Sequence, residues 1–175
     1  MQKSLAWGII LLLCAGLLAC QPIVIPSAQP AAEEIPFETL SLNETGEGVK
    51  VMLVTNETQL LIVTSSDQVV GLQQMVSAED FAQLHQVDYQ SQAVIALFRG
   101  VQGSNGYQTI IQRVSREGDR LVVHAELWSP SPYYAATTAL TYPYHLIKLA
   151  KADLPAQSVE LVLASSLITP TPPAQ

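Results

Sequence analysis

Hydrophobic and polar positions along this chain follow two rhythms, and each predicts its own kind of element. In the body of the chain, Ala93–Phe98 is six consecutive apolar residues. A strand with one wet face alternates, so an unbroken run of this length reads as a strand covered on both faces. Gly100, Gly103 and Gly106 then punctuate a loop, and Tyr107 opens the next strand pattern. Alternation predicts strands over 37–42, 49–54, 59–64, 107–114, 121–128, 144–149 and 158–163. Thr55-Asn56-Glu57-Thr58 would join the second and third as a hairpin, and Gly118 supplies a turn between the strands at 107–114 and 121–128. On the 121–128 strand, Leu121, Val123, Ala125 and Leu127 share one face, and Val122, His124, Glu126 and Trp128 the other. Ser129-Pro130-Ser131-Pro132 is expected to stop pairing, since neither proline can donate to a ladder. A long connection rich in Tyr, Ala and Thr follows, from 132 to 141.

The helical rhythm appears once. Ser77-Ala78-Glu79-Asp80 has a capping hydroxyl and two acids at the positive end of a helix dipole. Phe81, Leu84 and Val87 then fall about one turn apart, a narrow apolar stripe. The fold class expected is therefore mainly β (α+β): a single antiparallel β-sandwich or curled sheet with one short helix near residues 77–86.

Both ends have a different composition. Lys3 gives a short positive region, and the apolar stretch from Leu5 to Leu18 is too short for a comfortable membrane span but suits a signal peptide. It ends in Leu17-Leu18-Ala19-Cys20, which resembles a bacterial lipobox with cleavage before the cysteine. Cys20 would then lead the mature chain and carry lipid, palmitate among its acyl groups, anchoring a soluble domain at a membrane. The competing reading is an ordinary signal peptide with an incidental cysteine. Residues 1–19 are thus read as a lipoprotein signal and 20–36, with Pro22, Pro26, Pro30 and Pro36, as an extended tether. The β-rich domain spans 37–168, and the Pro-rich piece 169–175 is read as a disordered tail. The location that follows is extracytoplasmic, lipid-anchored to a bacterial cell membrane or outer membrane. Gln21 after the cysteine departs from the aspartate of inner-membrane retention.

Charge narrows the partners. The chain carries a formal net charge of -7, and losing residues 1–19 removes Lys3 and no acid. Such a chain has no phosphate-neutralising patch, so nucleic acid is not an expected partner. With Cys14 lost and Cys20 acylated, no thiol, disulfide or cysteine metal ligand remains.

The sequence offers no catalytic constellation. His85, His124 and His145 lie in no Gly-x-Ser-x-Gly, His-Glu-x-x-His or Cys-x-x-Cys context, and their spacing suggests no zinc site. Asp88 and Glu126 are the one candidate carboxylate pair, and both read as solvated. No phosphate-binding glycine loop, metal site or cofactor is expected. Asn43-Glu44-Thr45 and Asn56-Glu57-Thr58 match the glycosylation sequon and are read as turns. What remains is a loop constellation: Gly103-Ser104-Asn105-Gly106 leading into Tyr107, with Tyr133, Tyr134, Tyr142 and Tyr144 crowding the later connection. Tyrosines on loops held by a β scaffold make good protein-binding surface, and they also pack well over sheet ends.

At these residues the chain resembles the C-terminal domain of the protease-complex lipoprotein subunit PrcB. The resemblance rests on Val87-Asp88-Tyr89, the strand Ala93–Phe98, Gly100, Asn105-Gly106-Tyr107, Pro130 and Thr141-Tyr142-Pro143-Tyr144-His145, in that order over residues 87–150. Tyr89 stands where the family has Phe, and Asn105 where it has the first glycine of the turn. The resemblance implies a non-catalytic lipoprotein that acts as a protein-interaction module, an accessory or stabilising subunit of an exported subtilisin-like serine protease. The partner-binding loop would be Asn105, Gly106, Tyr107, Tyr142, Pro143 and His145. The alternatives are a chagasin-like peptidase inhibitor and a small-molecule-binding lipoprotein. Asn105-Gly106-Tyr107 faintly resembles one inhibitor loop of the former, whose other two loops are missing.

Overall fold

The structure, a computed structural model, describes residues 32–47, 49, 55–133, 136–154 and 158–168. The expected signal sequence, Cys20, most of the expected tether, all but Val49 of the strand expected at 49–54, Tyr134 and the expected tail lie outside the described residues.

The described chain forms ten strands and two short helices. The strands are β1 (Glu33–Glu34), β2 (Glu38–Asn43), β3 (Gln59–Val63), β4 (Gln92–Phe98), β5 (Gln102–Ser104), β6 (Gln108–Glu117), β7 (Arg120–Pro130), β8 (Thr138–Thr141), β9 (Tyr144–Ala150) and β10 (Ser158–Ile168). The helices, α1 (Ser66–Val69) and α2 (Ala78–Leu84), both lie between β3 and β4. One sheet has the order β1-β6-β7-β10, a second the order β2-β9-β4-β3, and β5 pairs with β8 in a small ribbon.

The layers explain the apolar run. Ile95 and Leu97 of β4 join Ile147 and Leu149 of β9 against Ile111, Val114, Leu121 and Val123 of the first sheet. On the opposite face, Val94, Ala96 and Phe98 join Tyr144 and Leu146 under a cover of Val69, Leu72, Val76, Leu84 and Tyr89. The second sheet is thus the middle layer, with a sheet on one side and the helical segment on the other. Each such side chain taken from water contributes about 1.5–3 kcal/mol.

Helix α2 starts as its sequence requires. The Ser77 hydroxyl accepts the Asp80 amide at 3.1 Å and donates to the Asp80 carboxylate at 2.8 Å. The Tyr144 hydroxyl donates to the same carboxylate and accepts from the Ser77 amide and from Asn43 Nδ2, each at 3.0 Å. This buried cluster clips the helix to the middle sheet. Asn43 also accepts the amides of Thr45 and Gly46, so that sequon is a turn as expected.

Four expectations change. The sandwich is not purely antiparallel: β10 runs parallel to β7. The chain leaves β9 at Ala150, makes a single turn at Lys151–Asp153 and enters the first sheet with Ser158 opposite Arg120, where β7 begins. A short crossover to that end leaves only the parallel direction. Pairing also continues through Pro130, opposite Ile168. The last register pair with β6 is Gln108 with Trp128, so Pro130 has no ladder to donate to on that side. The long connection contains β8, and a second helix, α1, precedes the expected one. β3 pairs with β4, and the partner expected for its hairpin at 49–54 lies outside the described residues.

Candidate functional site

The candidate site is the end of the sandwich where β4 leaves the middle sheet. Arg99 follows Phe98 directly and is buried. Its Nη1 donates to the carbonyls of Gln108, at 2.6 Å, and Trp128, and its Nη2 to the Ser129 hydroxyl at 2.7 Å. The guanidinium thereby holds the start of β6 against the end of β7. It lies 4.8 Å from the centre of the Tyr107 ring, a cation–π distance. No carboxylate pairs with it among the described ion pairs. Burial draws its pKa below the usual guanidinium range, and Tyr107 pushes the other way.

Gly100 makes the turn after it at φ +90°, and a Cβ there would lie 2.6 Å from the Asn56 backbone. The loop is tied on both sides: Val101 donates to the Thr55 carbonyl at 3.1 Å, and the Thr141 hydroxyl to the Ser104 carbonyl at 2.9 Å. Asn105 Oδ1 accepts the Thr137 amide at 2.7 Å, while its own amide donates to the Thr137 carbonyl at 3.2 Å. Gly106, at φ +87°, then turns the chain into Tyr107.

The six loop residues inferred from sequence divide into two groups. Asn105, Gly106 and Tyr107 form one half-exposed turn. Tyr142, Pro143 and His145 are buried, so they cannot contact a partner in this fold. The alternating pattern did not distinguish a loop from an approach strand threaded through the core. Tyr142 stacks on Phe98 at 5.7 Å, and burial pushes its phenol up to about 12. Tyr144 is likewise pushed up to about 12, first by burial and then by its Asp80 hydrogen bond. Tyr133 is 88% exposed.

His145 is an internal fastener. Its Nδ1 accepts the Ile111 amide at 2.8 Å, next to the bulge between Ile111 and Arg113. The proton must therefore sit on Nε2, which donates to the Thr39 hydroxyl at 3.0 Å. Burial pulls the imidazole down to about 4. One neutral ring thus joins β9 to β2 and to β6 across the sandwich.

The other titratable candidates are engaged separately. Arg113 donates to His124 Nε2 at 2.9 Å. Glu126 accepts from Gln112 at 3.2 Å and from Ser166. Asp88 accepts the Gln90 amide and the Ser91 hydroxyl, which hold its carboxyl below the usual range. His85 packs edge-on to Phe81. His124 and Glu126 line an open depression of about 290 Å³ on the outer face of the first sheet. A larger one of about 410 Å³ lies near Phe37, Glu38, Gln92 and Lys148. No group of three or more His, Cys, Asp or Glu side chains converges among the described residues.

Arg99 is the functional-end residue the sequence did not single out. The available signal was a lone cation directly after the buried run and before a glycine.

Residues 93–150 match the family model described as PrcB C-terminal. The matched segment runs from β4 to the end of β9, and it contains Arg99, the Asn105-Gly106-Tyr107 turn and His145. No curated protein and no solved structure matches the chain.

Proposed function

We propose that this protein is a non-catalytic bacterial surface lipoprotein that works as a protein-interaction module, an accessory or stabilising subunit of an exported subtilisin-like protease. The PrcB C-terminal match over residues 93–150 carries the reading, because that segment builds the turn that faces outward. Two features support it. Tyr107 is a half-exposed aromatic held from beneath by Arg99, and a preorganised aromatic loses little freedom on docking. The Leu17-Leu18-Ala19-Cys20 signature gives the lipid anchor that would hold the module beside an exported enzyme.

The test is affinity capture of the full-length chain from its own membranes, with mass spectrometry of what returns. Tyr107→Ala and Gly106→Val run alongside, each checked for folding by circular dichroism. An exported protease bound by the wild type and lost with either folded variant is the expected result. A wild type that returns no specific protein overturns the reading.

A further inference from the structure

Among the described residues, the edges of the two main sheets are not treated alike. β1 is two residues long and both are glutamate. β2 begins at Glu38 and is bulged between Thr39 and Ser41. β3 has five residues. These are the usual ways to blunt an edge. β10 uses none of them. It pairs with β7 over eleven residues without a break in register, and it contains no proline, lysine or arginine. Its single charge, Glu160, is taken by Arg120 at 2.8 Å. Among the described residues its other side has no strand partner. Val162, Leu163 and Leu167 stand exposed on it, Leu167 at 61%.

The sequence of β10 is complementary to itself. Laid antiparallel against a second copy about Leu163, the strand places Leu167 opposite Val159, Leu161 opposite Ser165, and Leu163 opposite Leu163 on the inward face. On the outward face Val162 meets Ala164, and Glu160 meets Ser166, so no like charges oppose. A two-fold axis normal to the sheet keeps inner face with inner face. The chain's own ends are poor substitutes: Pro170, Pro172 and Pro173 after β10, and Pro22, Pro26 and Pro30 before β1, have no N–H to give a ladder.

We propose that β10 is a self-association edge, through which two copies of this chain join their first sheets, β10 antiparallel to its copy, into one continuous mixed eight-stranded sheet. This pairing is independent of the partner reading above, since it uses a different edge from the Asn105–Tyr107 turn.

The test is sedimentation of the full-length chain in detergent, with hydrogen exchange followed by mass spectrometry from about 1 to about 100 µM, a range over which mass action should fill a dimer. The expected result is a dimer whose 158–168 amides exchange more slowly as concentration rises. Leu163→Lys places two like charges on the axis and should weaken dimerisation at least about tenfold. Leu167→Lys, nearer the rim, should weaken it less. Should Leu163→Lys fail to fold, Leu167→Lys and the wild-type exchange profile still decide the matter. A wild type that is monomeric throughout overturns the proposal. So does β10 protection that is independent of concentration, which would mean the chain covers its own edge. Protection that appears only when a membrane-extracted partner is added also overturns it.

Discussion

His145 makes the fold sensitive to acid in a defined window. Its Nδ1 can accept the Ile111 amide only while the ring is neutral. Burial holds the folded-state pKa at about 4, against an ordinary 6.5 for the unfolded chain. Between those values the unfolded chain binds a proton that the folded chain refuses. Stability is therefore fully present above pH 6.5, falls as pH drops, and stops falling once the folded pKa of about 4 is passed. The gap between 6.5 and about 4 corresponds to roughly 3 kcal/mol, at about 1.4 kcal/mol for each pH unit. That is a large part of the ordinary stability of a single domain, about 5–15 kcal/mol.

The assay is urea unfolding at intervals from pH 7 to pH 4, compared with His145→Asn. The asparagine Oδ1 can stand where Nδ1 stands and still accept the Ile111 amide, but it does not titrate. The variant should be less stable at pH 7, because the smaller side chain underfills its site and gives up the Thr39 bond. Its profile should lack the slope that wild type shows between pH 6.5 and 4. Equal slopes in the two proteins would refute the argument, since the proton would then be binding elsewhere. Asp88, whose carboxyl is held below its ordinary 3.8, adds a slope only at the acid end of this window, and it adds the same slope to both proteins, so it cancels in the comparison.

Three further outcomes follow from the same geometry. Arg99→Met should cost about 2–4 kcal/mol in urea unfolding, because it strands the Gln108 and Trp128 carbonyls, and Arg99→Lys should recover only part, since an ammonium lacks the planar fork. Gly100→Ala should lower the melting temperature, since it combines φ +90° with a Cβ at 2.6 Å from Asn56, whereas Gly103→Ala, with open space around it, should change stability by less than about 1 kcal/mol. Cys20→Ala should move the protein from the membrane fraction to the soluble one, read by fractionation and blotting, if the cysteine carries the anchor.

Much of the fold was legible because burial writes itself into periodicity. Ala93–Phe98 announced a strand with two dry faces, and the middle layer supplies them. Ser77 announced a cap, and it caps. The direction of β10 was not legible, because a period of two reads the same in parallel and antiparallel strands. Arg99 was missed for a different reason. Its acceptors are two backbone carbonyls and a serine hydroxyl, at separations of 9 to 30 residues, and a carbonyl has no signature in the sequence. Tyr142, Pro143 and His145 look like surface in the sequence because polar and aromatic residues near a proline resemble a loop. The ring of His145 is instead satisfied by an amide beside a bulge and a hydroxyl on another strand, both distant in sequence.

The matched segment alone would leave half of its own sheet uncovered. Residues 93–150 include β4 and β9, the two inner strands of the middle layer, but neither β2 nor β3, which flank them. They also exclude Val69, Leu72, Val76 and Leu84, which cover Val94, Ala96, Phe98 and Leu146. Without the upstream residues, that face of β4 and β9 would meet water, and the Tyr144 hydroxyl would lose Asp80, Ser77 and Asn43 together. His145 would lose Thr39 as well. The stretch from β2 to α2 is therefore part of the same folding unit as the matched segment, and the Asn105–Tyr107 turn depends on it. The Arg99 carbonyl, which accepts the Thr58 hydroxyl at 3.2 Å, and Gly100, packed against the Asn56 backbone, tie the start of that loop to residues upstream of the match.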